Sequence, residues 1–205
     1  MRRFSVSYLV MALIMAVGLV YPSRAEVSLD IKAAPYGLYK IDPDHTSVTF
    51  KINHLGFSHY TGRFDRVEGV MNFNSNAPEQ SNLDVIVYPN SINTNNPKLE
   101  EDLRGAQWFN VIQYPRAIFH STRIDRTGPM TGKVKGDFTL LGIKRNLTLD
   151  VTFIGTGTNM MDKKQVLGFS AIGTFDRSDF GMSNLLPMLG NEVVLEIEAE
   201  FDRAD

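Results

Sequence analysis

The sequence predicts an all-β fold, with many short antiparallel strands closed around one core and a short helical insertion near residues 97–109. Three observations lead there. From Gly37 onward, apolar and polar residues alternate repeatedly, as in strands that bury one face. The clearest run ends the chain: Val193, Leu195, Ile197, Ala199 and Phe201 share one parity, and Glu192, Val194, Glu196, Glu198 and Glu200 the other. About nine such segments fit within a length suited to one domain. Many antiparallel strands make a sandwich or a barrel. A barrel removes the edges that would pair with other chains, and about eight strands leave an interior wide enough for side chains or one slender ligand.

In chain order, Arg2 and Arg3 precede an uncharged run from Tyr8 to Val20, and small residues stand at Ser23 and Ala25. This is the layout of a secretory signal peptide over residues 1–25. An uncleaved anchor is the alternative, although the run is short of the ~20 residues that span a bilayer. Residues 26–36 show no clear period and predict a loosely held arm; residues 37–205 form the domain. With no cysteine among 205 residues, thiolate chemistry and lipid attachment through an N-terminal cysteine are excluded. Removing Arg2, Arg3 and Arg24 lowers the basic count from 21 to 18 against 23 acidic residues, a net charge of −5. No basic stretch remains to track phosphates, which argues against nucleic acid as a partner.

Strand candidates follow at Gly37 to Ile41 and at Val48, Phe50 and Ile52. Others lie at Gly62 to Phe73, at Leu83, Val85 and Val87, and at Ala117 to Ile124. Gly69 predicts a bulge. Asn96-Pro97 then sets a capping side chain before proline at the first helical position, and Leu99 and Leu103 stand four apart. Later strands carry Val134, Phe138 and Leu140; Leu147, Leu149, Val151 and Phe153; and Leu167, Phe169, Ala171 and Phe175.

Parity selects the residues expected to point inward: Phe50, Ile52, Phe138, Leu140, Leu149, Val151, Phe169, Ala171, Leu195 and Ile197. His54 shares the parity of Phe50 and Ile52 at the strand end. Together these eleven are the candidate ligand-binding set. Gly136, Gly168, Ala171 and Gly173 leave room where a filled core would prefer bulk, although strand coiling accounts for glycines equally well. An outer-membrane barrel shares the same period. Against it stand Glu196, Glu198 and Glu200, which would crowd a narrow lumen, and the helical insertion.

Chemistry-bearing motifs are sparse. His54 and His59 are five apart, but there is no helical His-Glu-x-x-His arrangement and no cysteine to complete a zinc site. No Gly-x-Ser-x-Gly elbow is present. Asp42, Asp44 and His45 fit turn chemistry before a strand. In Arg177-Ser178-Asp179-Phe180-Gly181, Arg177 and Asp179 could pair and fix a loop at a barrel mouth. Asp102 and Arg104 could form a similar network on the helix. No catalytic residue, metal ligand or cofactor is assigned.

Taken in order, several of these pieces resemble the YceI-like family. They are Tyr39-Lys40-Ile41-Asp42, Asp44-His45-Thr46-Ser47-Val48-Thr49-Phe50, Gly62-Arg63-Phe64, Ser91-Ile92-Asn93-Thr94 and Asp102-Leu103-Arg104. Trp108-Phe109-Asn110, Phe119-His120-Ser121, Gly136-Asp137-Phe138-Thr139-Leu140 and Arg177-Ser178-Asp179-Phe180-Gly181 continue the match. The resemblance covers about Leu38 to Phe201. It implies a lipocalin-like, elongated, eight-stranded antiparallel barrel around an isoprenoid or fatty-acyl chain, export to the periplasm, and dimers in some members. Thr94-Asn95-Asn96-Pro97 departs from the family pattern at the helix entry. Trp108 stands where a smaller aromatic or polar residue is common, so it would shorten or reshape a cavity that it faced.

The reading that follows is an exported carrier or sequestering protein for a polyisoprenoid, isoprenoid quinone or fatty-acyl lipid, with transient membrane contact. Two alternatives remain: an enzyme acting on an isoprenoid or quinone lipid through His54 or His120, and a filled barrel that works through its surface as a stress-related partner.

Overall fold

In the computed structural model, which describes residues 27–204, eleven strand segments form one closed antiparallel sheet. They are β1 (Gly37–Ile41), β2 (Ser47–His54), β3 (Ser58–Phe64), β4 (Val67–Phe73), β5 (Asn82–Val87), β6 (Ile92–Asn93), β7 (Ala117–Arg126), β8 (Thr131–Leu140), β9 (Ile143–Thr158), β10 (Gln165–Asp176) and β11 (Leu189–Arg203). Six of them join in line as three broken staves. Both β1 and β2 pair with β11, through Ile41 opposite Phe201 and Ser47 opposite Glu198. On their far side β1 pairs with β4 and β2 with β3. In turn β4 pairs with β5, and β3 with β6. Counting each broken stave once, the molecule is an eight-stranded up-and-down barrel closed between the first stave and β11. The expected signal peptide, residues 1–25, lies outside the described residues.

The breaks have local causes. Between β1 and β2, the Asp42 N–H donates to Glu200 O at 2.9 Å and the Glu200 N–H donates to Thr46 Oγ1 at 3.3 Å, so Thr46 takes over the ladder bond. The irregularity expected at Gly69 falls instead at Asp65 and Arg66, where the Arg66 N–H donates to Ser91 Oγ and leaves the sheet. Gly69 stays in register opposite Val85, and Ile41 covers its face.

Two ends follow from this up-and-down path. The hairpin at residues 55–57, the β6–β7 connection, the turn at Leu141-Gly142 and the β10–β11 connection lie at the end called here the mouth. The arm and the β4–β5, β7–β8 and β9–β10 connections lie at the base. The arm is pinned rather than loose. Ser28 exchanges two backbone bonds with Thr156, at 2.8 and 2.9 Å, and Ala34 is buried among Tyr39, Phe73 and Phe201. Helix α1 (Pro97–Arg104) is shorter than the predicted insertion. Asn96 caps it by accepting from the Leu99 N–H at 3.2 Å, and Gly105 to Tyr114 continue as turns.

The outer wall carries cross-strand ion pairs, among them Lys51 with Glu196, Lys133 with Asp150 and Lys164 with Asp202. A membrane-spanning barrel needs an apolar band there, about 25 Å tall. These charges place the wall in water.

Candidate functional site

The barrel encloses a cavity of about 520 Å³ whose lining runs from the mouth to the base, where Ile31, Pro78, Pro129 and Met130 border it. At the base, Phe169 meets Phe153, Phe201 and Phe73 with ring centroids 5.6, 6.0 and 6.4 Å apart, and Tyr39 is fully buried beside them. Edge-to-face packing of this kind narrows the interior with large, rigid side chains. A second aromatic group, Phe138, Phe175 and Phe180, packs at 5.3–5.4 Å between β8 and β10. The remaining interior is open, and its walls are almost wholly apolar.

All eleven side chains selected by parity line this one cavity. Leu149, Val151, Ala171, Leu195 and Ile197 form its middle. Phe50 and Ile52 line the β2 wall, and His54 stands exposed at the mouth, its ring 6.2 Å from that of Tyr60. The glycines do not make the space. The face of Gly136 is covered by Phe119 and that of Gly173 by Leu149, while Gly168 meets the β-carbon of Ile154 at 3.5 Å. Of the four small residues considered, Ala171 lines the opening.

Other lining residues come from outside the parity set. Leu99 and Leu103 point inward from α1, and Trp108 and Phe109 follow from the same connection. Their spacing marked a helix but not its inner face. Phe109 packs edge-on against Phe64 at 5.5 Å, and Phe64 lies 5.7 Å from Phe50, so the insertion is docked onto β2 and β3 as part of the wall. Trp108 faces the cavity, as its departure from the family pattern would require for it to reshape the interior.

Arg177 corrects another expectation, because it does not pair with Asp179. It is 1% exposed and donates only to carbonyls: Nε to Gly190 at 2.8 Å, Nη1 to Met182 at 2.8 Å and Asn184 at 2.9 Å, and Nη2 to Leu189 at 3.4 Å. Arg104 behaves similarly. It bonds the carbonyls of Asn90 and Ile92 and pairs with Glu100, not Asp102. Burial pushes the Arg177 guanidinium below its ordinary pKa, since desolvation disfavours the charged form.

The histidines divide by position. His120 lies on the outer face, paired with Asp84, so it cannot act on a molecule inside. His45 Nδ1 donates to the Asp42 carboxylate at 2.7 Å, and Glu200 completes a group whose ligand atoms lie within 4.8 Å. The Asp44 N–H also donates to Asp42, at 2.9 Å, so this group serves the turn at the stave break.

At the mouth, Leu55, Leu185 and Met188 both line the cavity and reach solvent. Phe57, in the 55–57 hairpin, and Ile112, in the β6–β7 connection at the same end, are 88% and 96% exposed. An apolar rim thus continues the apolar interior outward.

Comparison with known proteins agrees with this architecture. The YceI-like domain model matches residues 39–201. Proteins named YceI from Salmonella strains, including Salmonella arizonae, are 33% identical over 164 residues, covering 79% of this chain and 85% of theirs. The Campylobacter jejuni YCEI structure superposes with a TM-score of 0.68 at 29% identity, over 76% of this chain and 91% of that one. BcnA of Burkholderia cenocepacia shares the fold, with a TM-score of 0.71 at 19% identity, over 78% of this chain and 98% of that one. A polyisoprenoid binding domain from Saccharophagus degradans also shares it, with a TM-score of 0.58 at 14% identity, over 82% and 99%. With its barrel, its helical insertion and a family match running from the first strand to the last, the chain belongs to the YceI-like family.

Proposed function

We propose that this protein is a carrier or sequestering protein that holds one long apolar chain, a polyisoprenoid, isoprenoid quinone or fatty-acyl lipid, inside the barrel. The observation that carries this reading is the cavity itself: about 520 Å³, within the roughly 300–1,000 Å³ range of ligand pockets. It is lined by aliphatic and aromatic side chains and opens at the mouth through an apolar rim. Burying a chain there contributes about 25 cal/mol per Å² without directional groups. The similarity of fold to a polyisoprenoid binding domain supports the same ligand class.

The placement of the ionisable groups supports binding rather than turnover. His120 faces outward, and His54 stands at the mouth with an aromatic neighbour, away from the middle of the cavity. Loading would occur in the periplasm by contact of the rim at Leu55, Phe57, Ile112, Leu185 and Met188 with a membrane surface. Mass spectrometry under non-denaturing conditions tests the carrier reading. Exported protein should carry a lipid adduct that organic extraction removes and that one equivalent of polyprenol restores. Protein that neither carries nor accepts a chain would favour the surface-acting alternative.

A further inference from the structure

Outside the barrel, Asp42, His45 and Glu200 meet at the stave break. Asp42 follows β1, His45 precedes β2 and Glu200 lies on β11, so the closed sheet alone brings them together. Main-chain bonds hold them there. The Asp42 N–H donates to Glu200 O at 2.9 Å, and the Glu200 N–H donates to Thr46 Oγ1 at 3.3 Å. The Asp44 N–H occupies Asp42 Oδ1, and Asp42 Oδ2 faces the His45 ring. Glu200 also differs from its neighbours along β11. Glu196 pairs with Lys51, Glu198 accepts from Ser170 Oγ and Asp202 pairs with Lys164. Among the described residues no lysine or arginine pairs with Glu200 or with Asp42. The carboxylates of Asp42, Glu200 and Asp44 all act on the one imidazole. Like charges gathered in this way repel, and a cation between them would relieve it.

We propose that Asp42, a ring nitrogen of His45 and Glu200 bind one divalent transition-metal ion of the zinc type on the outer wall of the barrel. The site is separate from the cavity and does not depend on the carrier reading. One imidazole nitrogen with two carboxylate oxygens suits Zn²⁺ or Co²⁺ better than Mg²⁺, which prefers oxygen and water alone. The three ligand atoms already lie within 4.8 Å of one another. Around a tetrahedral ion with bonds of about 2.0–2.2 Å they would stand about 3.4 Å apart, so side-chain movement of about an ångström closes the set. The His45 side chain is 60% exposed, which leaves the solvent side open for a water as fourth ligand. A bound ion would tie β1, the connection to β2 and β11 together at the break. Because it binds the folded chain, it would raise the melting temperature in a concentration-dependent way.

The test uses untagged exported protein, stripped with EDTA and titrated with Zn²⁺ by calorimetry and with Co²⁺ by visible absorption. One ion per chain should saturate both signals, and a large excess of Mg²⁺ should not displace it. In long-range ¹H–¹⁵N spectra of the unaltered protein, the ring nitrogens of His45 should shift with Zn²⁺ while those of His54, His59 and His120 stay in place. Losing even a group that only orients a ligand typically costs about 10–100-fold in affinity, so His45→Asn and Glu200→Gln should each weaken Zn²⁺ binding at least as much. Glu200→Gln keeps the main-chain bonds of the break, and its metal-free melting temperature should match that of the wild type. Because stoichiometry and ring shifts are read on unaltered protein, a misfolded variant leaves the proposal open to refutation. Absence of saturable binding, or shifts at another histidine with His45 unmoved, would overturn the site. Full Zn²⁺ affinity in folded Glu200→Gln would overturn the three-ligand set.

Discussion

The ring of Phe50 lies over Gly62, its partner across the β2–β3 pair, so closely that a methyl group at Gly62 would come within 2.7 Å of Phe50 Cε1. That ring also lines the cavity, so it has open space behind it. Gly62→Ala should push the ring inward at small cost, reduce ligand capacity and leave the melting temperature nearly unchanged. Gly136 offers the contrast, because a methyl group there would strike the backbone carbonyl of His120. Gly136→Ala should lose roughly 1–3 kcal/mol, as overpacking does. Chemical denaturation of the two variants checks the difference, and equal losses would mean that Phe50 has nowhere to go.

Ala171 gives a second test of open space. It is buried between Leu149 and the Phe138 group, yet it borders the cavity. Ala171→Phe should fill the cavity, lower lipid occupancy and cost the delipidated protein little stability. Retained occupancy with a stability loss of roughly 1–3 kcal/mol would identify the position as close-packed core.

Much of this wall was legible in the sequence because a strand's two-residue period sorts side chains by face without reference to any partner. Phe138, Leu149, Ala171 and Leu195 could be assigned in this way. Parity could not reveal the contribution of α1, since the side of a helix that meets a barrel depends on how its connections dock. Nor could it show that three staves are broken, because in-line pairing along β11 is a property of the closed sheet. Arg177 was misread because Asp179, two residues on in the same turn, offers an opposite charge within reach. In the fold, the turn at Arg177–Phe180 leaves Asp179 exposed while the guanidinium enters the wall. The glycines left two readings open, because the absence of a side chain says nothing about which neighbour fills the gap.

The stave break at Asp42 and His45 should respond to pH. Burial acts to raise the Asp42 pKa, but hydrogen bonds from His45 and the Asp44 N–H more than offset it, and the carboxyl lies below its usual 3.8. The hydrogen bond to Asp42 is also the main cause that raises His45 above its usual 6.5. Stability from His45 is therefore complete below 6.5 and is lost as pH rises through its folded value. Stability from Asp42 is present above 3.8 and is lost as pH falls through its own. The melting-temperature difference between wild type and Asp42→Asn should be largest between pH 3.8 and 6.5. In an NMR titration that variant should lower the His45 midpoint; an unmoved midpoint would mean the pair is not formed in solution.

Phe57 and Ile112 should matter at a membrane and not for folding. Being almost fully exposed, they contribute little packing, and surface substitutions usually change stability by no more than about 0.5 kcal/mol. Phe57→Ser combined with Ile112→Ser should reduce co-sedimentation with phosphatidylethanolamine–phosphatidylglycerol vesicles several-fold while leaving polyprenol binding in solution intact. Unchanged co-sedimentation would remove the rim from the account.

Trp108 allows the central claim to be read directly. It is the single tryptophan of the chain, and it lines the cavity. Titration of delipidated protein with a series of prenyl chains of increasing length should change its emission saturably at one chain per protein. Affinity should rise with each added unit until the cavity is full and then level off, and Ala171→Phe should bring that plateau to a shorter chain. An emission that does not saturate, or an affinity indifferent to chain length, would contradict a chain held inside the barrel.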